Sequence, residues 1–267
     1  MSLPLRLPLQ QHPKYSAALN RIGVSTAVID LPDAVPVQVI LRFGLNFAAR
    51  GPIWHSNCRD VGELKRSRLR LVNSNGGDAK ALRAAGFRQL MTPAHVAELA
   101  LDRGLERHMT QKWRNIWRRA QHSPLTIYKE PFDSAKHQWL LKADLAQQKQ
   151  KRFRALPHGI IHGYSTIAPN DVTVWTARSQ GNIVAGMLFI RHGKCATYHL
   201  AWSNEAGRKH AAHHRMLIAA ADGFANTGVV QLDLGTVDTH SAPGLARFKI
   251  GTGANIRPLG GSWLRMF

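Results

Sequence analysis

The clearest pattern of apolar and polar positions lies between Gly104 and Gln121. Apolar side chains recur there at intervals of three and four residues, at Leu105, Met109, Trp113, Ile116, Trp117 and Ala120. This spacing places them on one face, so we predict a helix over 104–121, and Pro124 ends it. Its other face is basic, with Arg107, Lys112, Arg114, Arg118 and Arg119. Because Trp113 and Trp117 lie on the apolar stripe, we interpret them as core residues and not as a platform for stacking bases.

Three stretches with strand character follow one another after residue 170, at 172–177, 183–191 and 194–202. Short turn sequences separate them, Ser179-Gln180-Gly181-Asn182 and His192-Gly193, so we predict an antiparallel meander. A helix over 208–226, the glycine Gly228 and a strand over 229–234 come next. This order of strands, helix and strand is typical of an α/β or α+β sheet protein.

The N-terminal third alternates strand and helix patterns. We predict strands at 24–31, 37–43 and 69–72, a turn at 50–54, and helices at 59–66 and 78–85. Pro93 marks a boundary that divides the chain into two parts, 1–92 and 93–267. In the second part we also predict strands at 94–101 and 125–128 and a helix at 133–149.

The charge of the chain is strongly unbalanced. Thirty-six lysine and arginine residues stand against 16 aspartate and glutamate residues, which gives a formal net charge of +20 over 267 residues. Such an excess favours an anionic partner, for which the candidates are a nucleotide cofactor, RNA, an acidic carrier protein and a membrane face. The alternative is a general basicity that serves no particular partner.

The two cysteines and the N-terminal stretch bear on the compartment. Cys58 and Cys195 are far apart and have no metal-type spacing, so we expect no disulfide framework and a reducing compartment. The first residues contain Pro4 and Pro8 and no long apolar core, which is unlike a signal peptide. No apolar run approaches the ~20 residues of a membrane span. We therefore expect a cytoplasmic protein.

The first candidate site is the loop between the meander and the helix that follows it. The predicted strand ends near Trp202, and a basic stretch that leads into the helix comes next. A helix start exposes unpaired backbone N–H groups at the positive end of its dipole, so it is suited to phosphate. The cofactor-binding residues that we predict here are Gly207, Arg208, Lys209, His210 and Ala211. The alternative is an ordinary surface turn with a solvated basic face.

The second candidate site is Lys249, which stands between Phe248 and a run of small residues. A lysine in that setting can hold a phosphate or a developing oxyanion, whereas the alternative is a lysine on a connecting loop whose glycines serve only tight turns.

Two further residues are candidates for proton transfer and for orienting an acceptor. Strand alternation places Tyr198, Leu200 and Trp202 on one face and His199 on the other, which makes His199 a candidate base. The alternative is a structural histidine. Asp233, on the next strand, is a candidate for orienting an acceptor amine. His210 and His214 have no nearby carboxylate or cysteine in the sequence, so we predict no metal site.

The order of meander, basic glycine loop, helix and strand resembles the GNAT fold, in which loop amides hold the pyrophosphate of coenzyme A. The usual signature, Gln/Arg-x-x-Gly-x-Gly/Ala, is only partly present, in Gly207 and Ala211. Asp233-Leu234-Gly235, paired with Arg247-Phe248-Lys249-Ile250-Gly251, resembles the Fem-type branch, which joins two GNAT-like halves. Arg50-Gly51-Pro52-Ile53-Trp54 and the helix around Trp113 resemble the same branch.

The resemblance covers most of residues 35–267 and implies a mixed, mostly antiparallel sheet flanked by helices in each of two GNAT-like halves. The first half would be 1–92, and the second, at 93–267, would bind the acyl donor. It also implies that Phe248 and Lys249 lie near the donor carbonyl. The helical-hairpin insertion of longer Fem proteins is not recognisable in this sequence.

The function that we expect is an N-acyltransferase that moves an acyl group, in the first instance acetyl, from acyl-CoA to an amine by direct attack. The acceptor would be a small-molecule or peptide amine. Two alternatives remain open: a Fem-like transferase that uses aminoacyl-tRNA, and a non-catalytic protein that binds RNA or a membrane surface on a decayed GNAT scaffold. The sequence leaves the acceptor, the acyl-chain length and the oligomeric state open.

Overall fold

The structure is a computed structural model that describes residues 6–55, 59–101, 104–153 and 155–266. Pro4 and Cys58, on which two expectations depended, lie outside the described residues. So do the two ends of the chain, residues 1 and 267.

The part of the chain up to residue 100 forms α1 (Pro13–Arg21), β1 (Thr26–Ile29), β2 (Val37–Arg42), β3 (Leu45–Ala49), α2 (Val61–Arg66), β4 (Leu71–Ser74), α3 (Ala79–Ala84), β5 (Arg88–Met91) and β6 (His95–Ala100). The remainder forms α4 (Gln111–Gln121), β7 (Thr126–Pro131), α5 (Gln138–Lys151), α6 (Gly159–Ile167), β8 (Val172–Ser179), β9 (Asn182–His192), β10 (Cys195–Ser203), α7 (Glu205–Lys209), α8 (Ala212–Ala225), β11 (Gln231–Val237), α9 (Pro243–Gly251), β12 (Asn255–Pro258) and β13 (Gly261–Leu264).

The strands make two sheets that repeat one pattern. The first has the order β1-β2-β3-β4-β13-β5, and the second has the order β12-β6-β11-β10-β9-β8-β7. Read from β1 and from β8, each gives two antiparallel pairings, one parallel pairing and two more antiparallel pairings. The parallel pair is β3–β4 in the first sheet and β10–β11 in the second. The predicted fold class, a mixed and mostly antiparallel sheet in each of two halves, is confirmed.

The two sheets exchange strands at equivalent positions. Strand β6 follows β5 in the chain but pairs with β11 in the second sheet, whereas β13, near the end of the chain, pairs with β4 in the first. The proposed division at 92/93 thus coincides with the two sheets except for β13. Whether 1–92 and 93–267 are separate folding units stays a prediction.

Three apolar clusters hold these layers together. One lies between the second sheet and helices α4 and α8, and it includes Trp113, Met216 and Phe224. A second covers the opposite face of that sheet with helices α1, α5 and α6. The third packs α2 and α3 against the first sheet around Trp263. The prediction that Trp113 is a core residue is confirmed.

The predicted meander is confirmed as β8, β9 and β10, and several other boundaries are wrong. The helix predicted over 104–121 begins at Gln111, because residues 105–107 form a 3-10 turn and the amide of Thr110 donates to Gly251 O. The helix predicted over 208–226 is two helices, since Ala211 has a φ of +49° between them. The helix predicted at 133–149 starts at Gln138.

Several elements carried too little sequence pattern to be predicted: α1, α6, β3, β5, β12 and β13. Most of them are short. Strands of four or five residues acquire their pairing partners only in the assembled sheet. Every helix of the described residues falls short of the length and apolar character that a membrane-spanning helix requires.

Candidate active site

The centre of the candidate site is the place where the parallel strands β10 and β11 diverge. They pair over three residues only, Cys195–Thr197 against Gln231–Asp233, although β10 continues to Ser203 and β11 to Val237. We call the space between residues 198–203 and 234–237 the fork. Beyond Thr197 the backbones of the two strands no longer pair with each other, so each strand has one edge without a partner from the other.

Irregularities on the outer side of each strand accompany the fork. The pairing of β10 with β9 shifts register between Tyr198 and Leu200, so His199 is an extra residue. The pairing of β11 with β6 shifts between Asp233 and Thr236, where Gly235 has a φ of +77°. Bulges bend a strand and increase its twist, which separates the two strands beyond Thr197.

The bulge at His199 in β10 also corrects a prediction made from the sequence. Tyr198 packs with the α8-side cluster, whereas Leu200 and Trp202 pack with the cluster on the opposite face. The prediction that Tyr198, Leu200 and Trp202 share one face is therefore wrong. Simple alternation fails because His199 adds one residue between them.

The loop predicted to bind phosphate lies at the end of β10. Gly207 lies inside α7, packed so closely on β9 that a Cβ there would be 2.3 Å from Val184 O. Many of the loop's amides already donate internally: Gly207 N to Asn204 Oδ1, Arg208 N to Asn204 O, His210 N to Ala206 O, and Ala211 N to Arg208 O. The loop is thus a compact turn that leads into α8, with fewer free amides than an open phosphate-binding loop.

The charged side chains of this loop face outward. Arg208 and Lys209 are exposed, and His210 is half-buried. The Arg208 guanidinium donates to Ser203 O at the end of β10, over 2.8 Å. Two cationic groups therefore stand between the fork and the start of α8, where the helix dipole also favours an anion.

Lys249 lies on α9 and is buried, with 5% of its surface exposed. Its Nζ donates to Thr236 O over 2.8 Å, on β11 beyond the last residue that pairs with β10. Burial lowers the pKa of Lys249 to about 8, and the charge of Asp233 opposes this shift. A buried ammonium group thus lies against the β11 side of the fork.

Phe248, the neighbour of Lys249, lies against the start of α8. Its ring centroid is 5.1 Å from that of His214 and 5.9 Å from that of Trp113. The Trp113 Nε1–H donates to Phe248 O over 3.0 Å. Helix α9 therefore joins the two candidate stretches, because Phe248 contacts the helix that follows the loop while Lys249 contacts the fork.

Asp233 takes part in an ionic network between the two halves. Its Oδ2 lies 3.2 Å from Arg50 Nη1, and its Oδ1 accepts from Gly235 N over 2.7 Å. Glu98 lies 3.5 Å from Arg50 and 2.7 Å from Arg257. A polar cavity of about 140 Å³ adjoins this network. Both carboxylate oxygens of Asp233 thus have partners, and its role in orienting an amine stays a prediction.

His199 occupies the bulge and is half-buried. Burial lowers its pKa to about 4, Asp144 opposes this shift, and His158 adds to it. Sequence reasoning missed those two neighbours, which form a pair with His158 Nε2 2.8 Å from Asp144 Oδ2. They belong to different helices, and no motif in the sequence linked them.

The structure thus brings the predicted residues together in two groups. Lys249, on α9, contacts β11, the strand that carries Asp233. Phe248 lies with the loop residues near the start of α8. His199 is on the β10 side of the fork. Among the described residues, no group of three or more histidine, cysteine, aspartate or glutamate side chains is arranged to hold a metal ion.

Neither a family model nor a curated protein matches the chain. Among solved structures, FemX is similar over 100% of this chain and 97% of its own, with a TM-score of 0.74 at 12% identity. The C-terminal domain of a putative lysylphosphatidylglycerol synthetase from Agrobacterium fabrum is similar over 97% and 88%, with a TM-score of 0.62 at 13% identity.

A GCN5-related N-acetyltransferase from Kribbella flavida is similar over 95% of this chain and 94% of its own, with a TM-score of 0.50 at 13% identity. At such identities the likeness establishes the fold. The predicted GNAT-like, Fem-like architecture of two halves is confirmed at that level.

Proposed function

We propose that this protein is an acyltransferase that moves an acyl group from an activated donor to an amine. The observation that carries the proposal is the fork between β10 and β11 with the buried Lys249 ammonium beside it. The similarity in fold to a GCN5-related N-acetyltransferase, to FemX and to a lysylphosphatidylglycerol synthetase supports the same reaction class. The acceptor that we propose is a small-molecule or peptide amine.

Transfer of the acyl group by direct attack needs little covalent catalysis by the protein. A neutral amine attacks the donor carbonyl, and negative charge develops on the carbonyl oxygen as the C–N bond forms. The fork would hold the carbonyl in position, and the Lys249 ammonium would stabilise the developing charge from a site that excludes water. Because the pKa of Lys249 is about 8, its side chain is cationic at neutral pH.

The first donor that we propose is acyl-CoA. Its pyrophosphate would lie at the start of α8, where Arg208 and Lys209 are exposed and His210 is half-buried. From there the acyl arm would run along α9, past Phe248, to the fork. Gly207 would serve by letting α7 pack closely on β9, and Ala211 by its left-handed backbone, which starts α8.

A second donor, aminoacyl-tRNA, is favoured by two observations. The internally bonded loop leaves fewer amides for a pyrophosphate than an open loop would. The exposed face of α4 also lines a groove of about 470 Å³, with Gln111, Lys112, Asn115, Ile116 and Arg119. Helix α4 packs on α8, so a polyanion larger than coenzyme A can contact both helices. Burial lowers the pKa of His214 on α8 to about 4, and the charge of Arg119 on α4 adds to this shift.

Thermal unfolding with each donor class tests the proposal. Acetyl-CoA, longer acyl-CoAs and charged tRNA are added in turn, and the unfolding temperature is followed. Saturable stabilisation by CoA thioesters supports the first donor. Stabilisation by charged tRNA alone, lost steeply as salt rises, supports the second. No stabilisation by any donor overturns the enzymatic proposal and leaves the non-catalytic alternative.

A matched pair of variants shows where the donor binds. Replacing Arg208 and Lys209 together by Ala should weaken the stabilisation that the donor gives without changing the unfolding temperature of the free protein. The control is Lys65→Ala together with Lys80→Ala, which removes two exposed cations from α2 and α3 in the first half. Equal weakening in both proteins would indicate general charge attraction and contradict the proposed binding place.

A further inference from the structure

One face of α5 lies over the part of β10 that borders the fork. Asp144, Gln147 and Gln148 share this face, since they are spaced three and four residues apart. The Gln147 side chain donates to Ala201 O of β10 over 3.0 Å. Trp139 lies more than one turn earlier on α5, and its ring packs edge-on against Trp202, with 5.6 Å between ring centroids. The face is therefore fixed in position beside the bulge.

Asp144 holds the imidazole ring of His158 in one orientation. Its side chain is 7% exposed, and its Oδ2 accepts from His158 Nε2 over 2.8 Å and from Gln148 Nε2 over 2.6 Å. An ionised carboxylate only accepts hydrogen bonds, so this contact fixes the proton of His158 on Nε2. The other ring nitrogen, Nδ1, is then the one that can accept a proton. His158 is 13% exposed, so it lies near the surface without being solvated on all sides.

The pair and the bulge residue form one electrostatic cluster. The charges of Asp144 and His158 both act on His199, in opposite directions, and Asp144 also acts on Tyr198. The titratable groups that meet here are thus Asp144 from α5, His158 from the start of α6, and Tyr198 and His199 from β10.

The Asp144–His158 pair of this cluster lies on α5 and at the start of α6, which pack on the opposite face of the sheet from Phe248 and α8. Leu200 and Trp202 pack on this side with Leu140 of α5, whereas Phe248 packs on the other side with α8. Lys249 thus contacts β11 beside the fork, and α5, which carries Asp144, contacts β10 beside the fork through Gln147.

We propose that His158 is the proton acceptor of the transfer reaction and that Asp144 is its positioning residue, which rests on the function proposed above. The lone pair of the acceptor nitrogen forms the C–N bond, and the electron pair of the donor's C–S bond, or C–O bond in an ester, departs with the leaving group. The surplus proton on nitrogen passes to His158 Nδ1, and from there to the departing thiolate or alkoxide.

A structural role would have different consequences. Gln148 Oε1 also accepts from Ala155 N over 3.2 Å, so the same face of α5 holds the connection between α5 and α6. If the pair did only this, its loss would lower stability and activity together at every pH. The readouts must therefore separate proton transfer from packing.

The test uses His158→Gln, His158→Ala and Asp144→Asn in the full chain. The matched control is His162→Gln, one turn further along α6, whose ring packs edge-on against Phe132. Turnover is followed by release of free thiol from the acyl-CoA, or of uncharged tRNA, with the donor that the stabilisation assay identifies. Nitrogen-15 NMR of the histidine rings, which needs no substrate, reports the tautomer of His158.

We expect His158→Gln to lower kcat at least about 100-fold at pH 7 and to make the acid side of the kcat profile, measured with saturating acceptor, shallower than in the wild type. Added imidazole should restore part of the activity of His158→Ala but not that of His162→Gln. In Asp144→Asn the His158 ring should lose its single tautomer, and kcat should fall with little change in KM.

Two results contradict the role of His158 and leave the proposed acyltransferase function standing. One is an active wild type whose His158→Gln variant keeps kcat within about twofold. The other is a variant whose activity falls in step with its unfolding temperature and keeps the wild-type pH profile. A wild type that transfers nothing from any donor overturns the proposed function and, with it, this role for His158.

Discussion

Arg50 Nη1 lies 3.2 Å from Asp233 Oδ2, and this contact joins the two halves of the protein. Arg50 follows β3 in the first sheet, and Asp233 is the last residue of β11 that pairs with β10 in the second. Their side chains are 13% and 8% exposed. A residue that the sequence suggested for catalysis is therefore also part of a mostly buried ion pair between the halves.

The first prediction concerns this pair. Arg50→Met leaves the Asp233 carboxylate buried without its cationic partner, and removing one partner of a buried pair costs roughly 3–5 kcal/mol of unfolding free energy. Urea unfolding measures the loss. The control is Arg66→Met, which breaks the exposed pair with Glu63 on α2 and should change stability little. Equal stability of the two variants would contradict the inference.

The same pair tests the role predicted for Asp233. If Asp233 only holds Arg50, Asp233→Asn and Arg50→Met should lower activity to the same extent once the folded fraction is taken into account. If Asp233 orients the acceptor amine, Asp233→Asn should raise KM for the amine further than Arg50→Met does. Steady-state kinetics with varied acceptor concentration decide between the two.

The second prediction concerns the activity of Lys249. Lys249→Met removes the cation beside the fork and should lower kcat about 100- to 1,000-fold, the usual effect of losing an oxyanion donor. Because its pKa is about 8, the contribution of Lys249 in the wild type should decline as pH rises past 8. The pH profile of kcat measures this decline. Unchanged turnover in the variant would remove Lys249 from the mechanism.

The third prediction concerns the stability of the same variant. Burial lowers the pKa of Lys249 from 10.5 to about 8, so the folded state disfavours the charged form. The loss of unfolding free energy that comes from burying the charged Lys249 is fully present below pH 8 and disappears as pH rises towards 10.5. Lys249→Met should therefore be at least as stable as the wild type at pH 7, and its advantage should shrink above pH 8. Unfolding free energies across this range check the sign, and an advantage that grows with pH would contradict it.

The fourth prediction concerns the stability of the protein at acidic pH. Burial lowers the pKa of His192 from 6.5 to about 3 and that of His12, His199 and His214 to about 4. Below pH 6.5 the unfolded chain takes up protons that the folded chain does not, so the unfolding free energy should fall between pH 6.5 and about 4. Urea titrations at several pH values measure the slope.

In the same titrations, His192→Gln should have a shallower slope, and the matched control is the exposed His240→Gln. A slope identical to that of the wild type in His192→Gln would show that His192 does not contribute to acid lability.

The fifth prediction compares two glycines. Gly207→Ala would place a Cβ 2.3 Å from Val184 O, so α7 must shift, and the strain should cost about 1–3 kcal/mol. Gly244→Ala, in the first turn of α9, meets nothing within 4 Å and should leave stability unchanged or slightly raised. Thermal unfolding compares the two. Equal stability would show that α7 can move away from β9 at no cost.

The sequence by itself determined the elements with strong periodic patterns. The apolar spacing of Trp113 identified its helix, and alternating strands with turn residues identified the meander. Local motifs also pointed to the loop before α8, because a helix start can bind an anion, and to Lys249, which stands between Phe248 and a run of small residues. In the structure Lys249 lies beside the fork and Phe248 lies beside α8, and their roles in transfer and donor binding stay predictions.

Only the tertiary structure decided the rest. A bulge at His199 reassigns the faces of β10, and alternation in one strand cannot reveal an extra residue relative to its partner. Strand β13 joins the first sheet across more than 180 residues of chain, as its pairing of Trp263 with Val72 shows. The Arg50–Asp233 and Asp144–His158 pairs likewise join residues on different elements. Such contacts depend on which backbone surfaces meet after packing, and the local preferences that a sequence displays do not specify them.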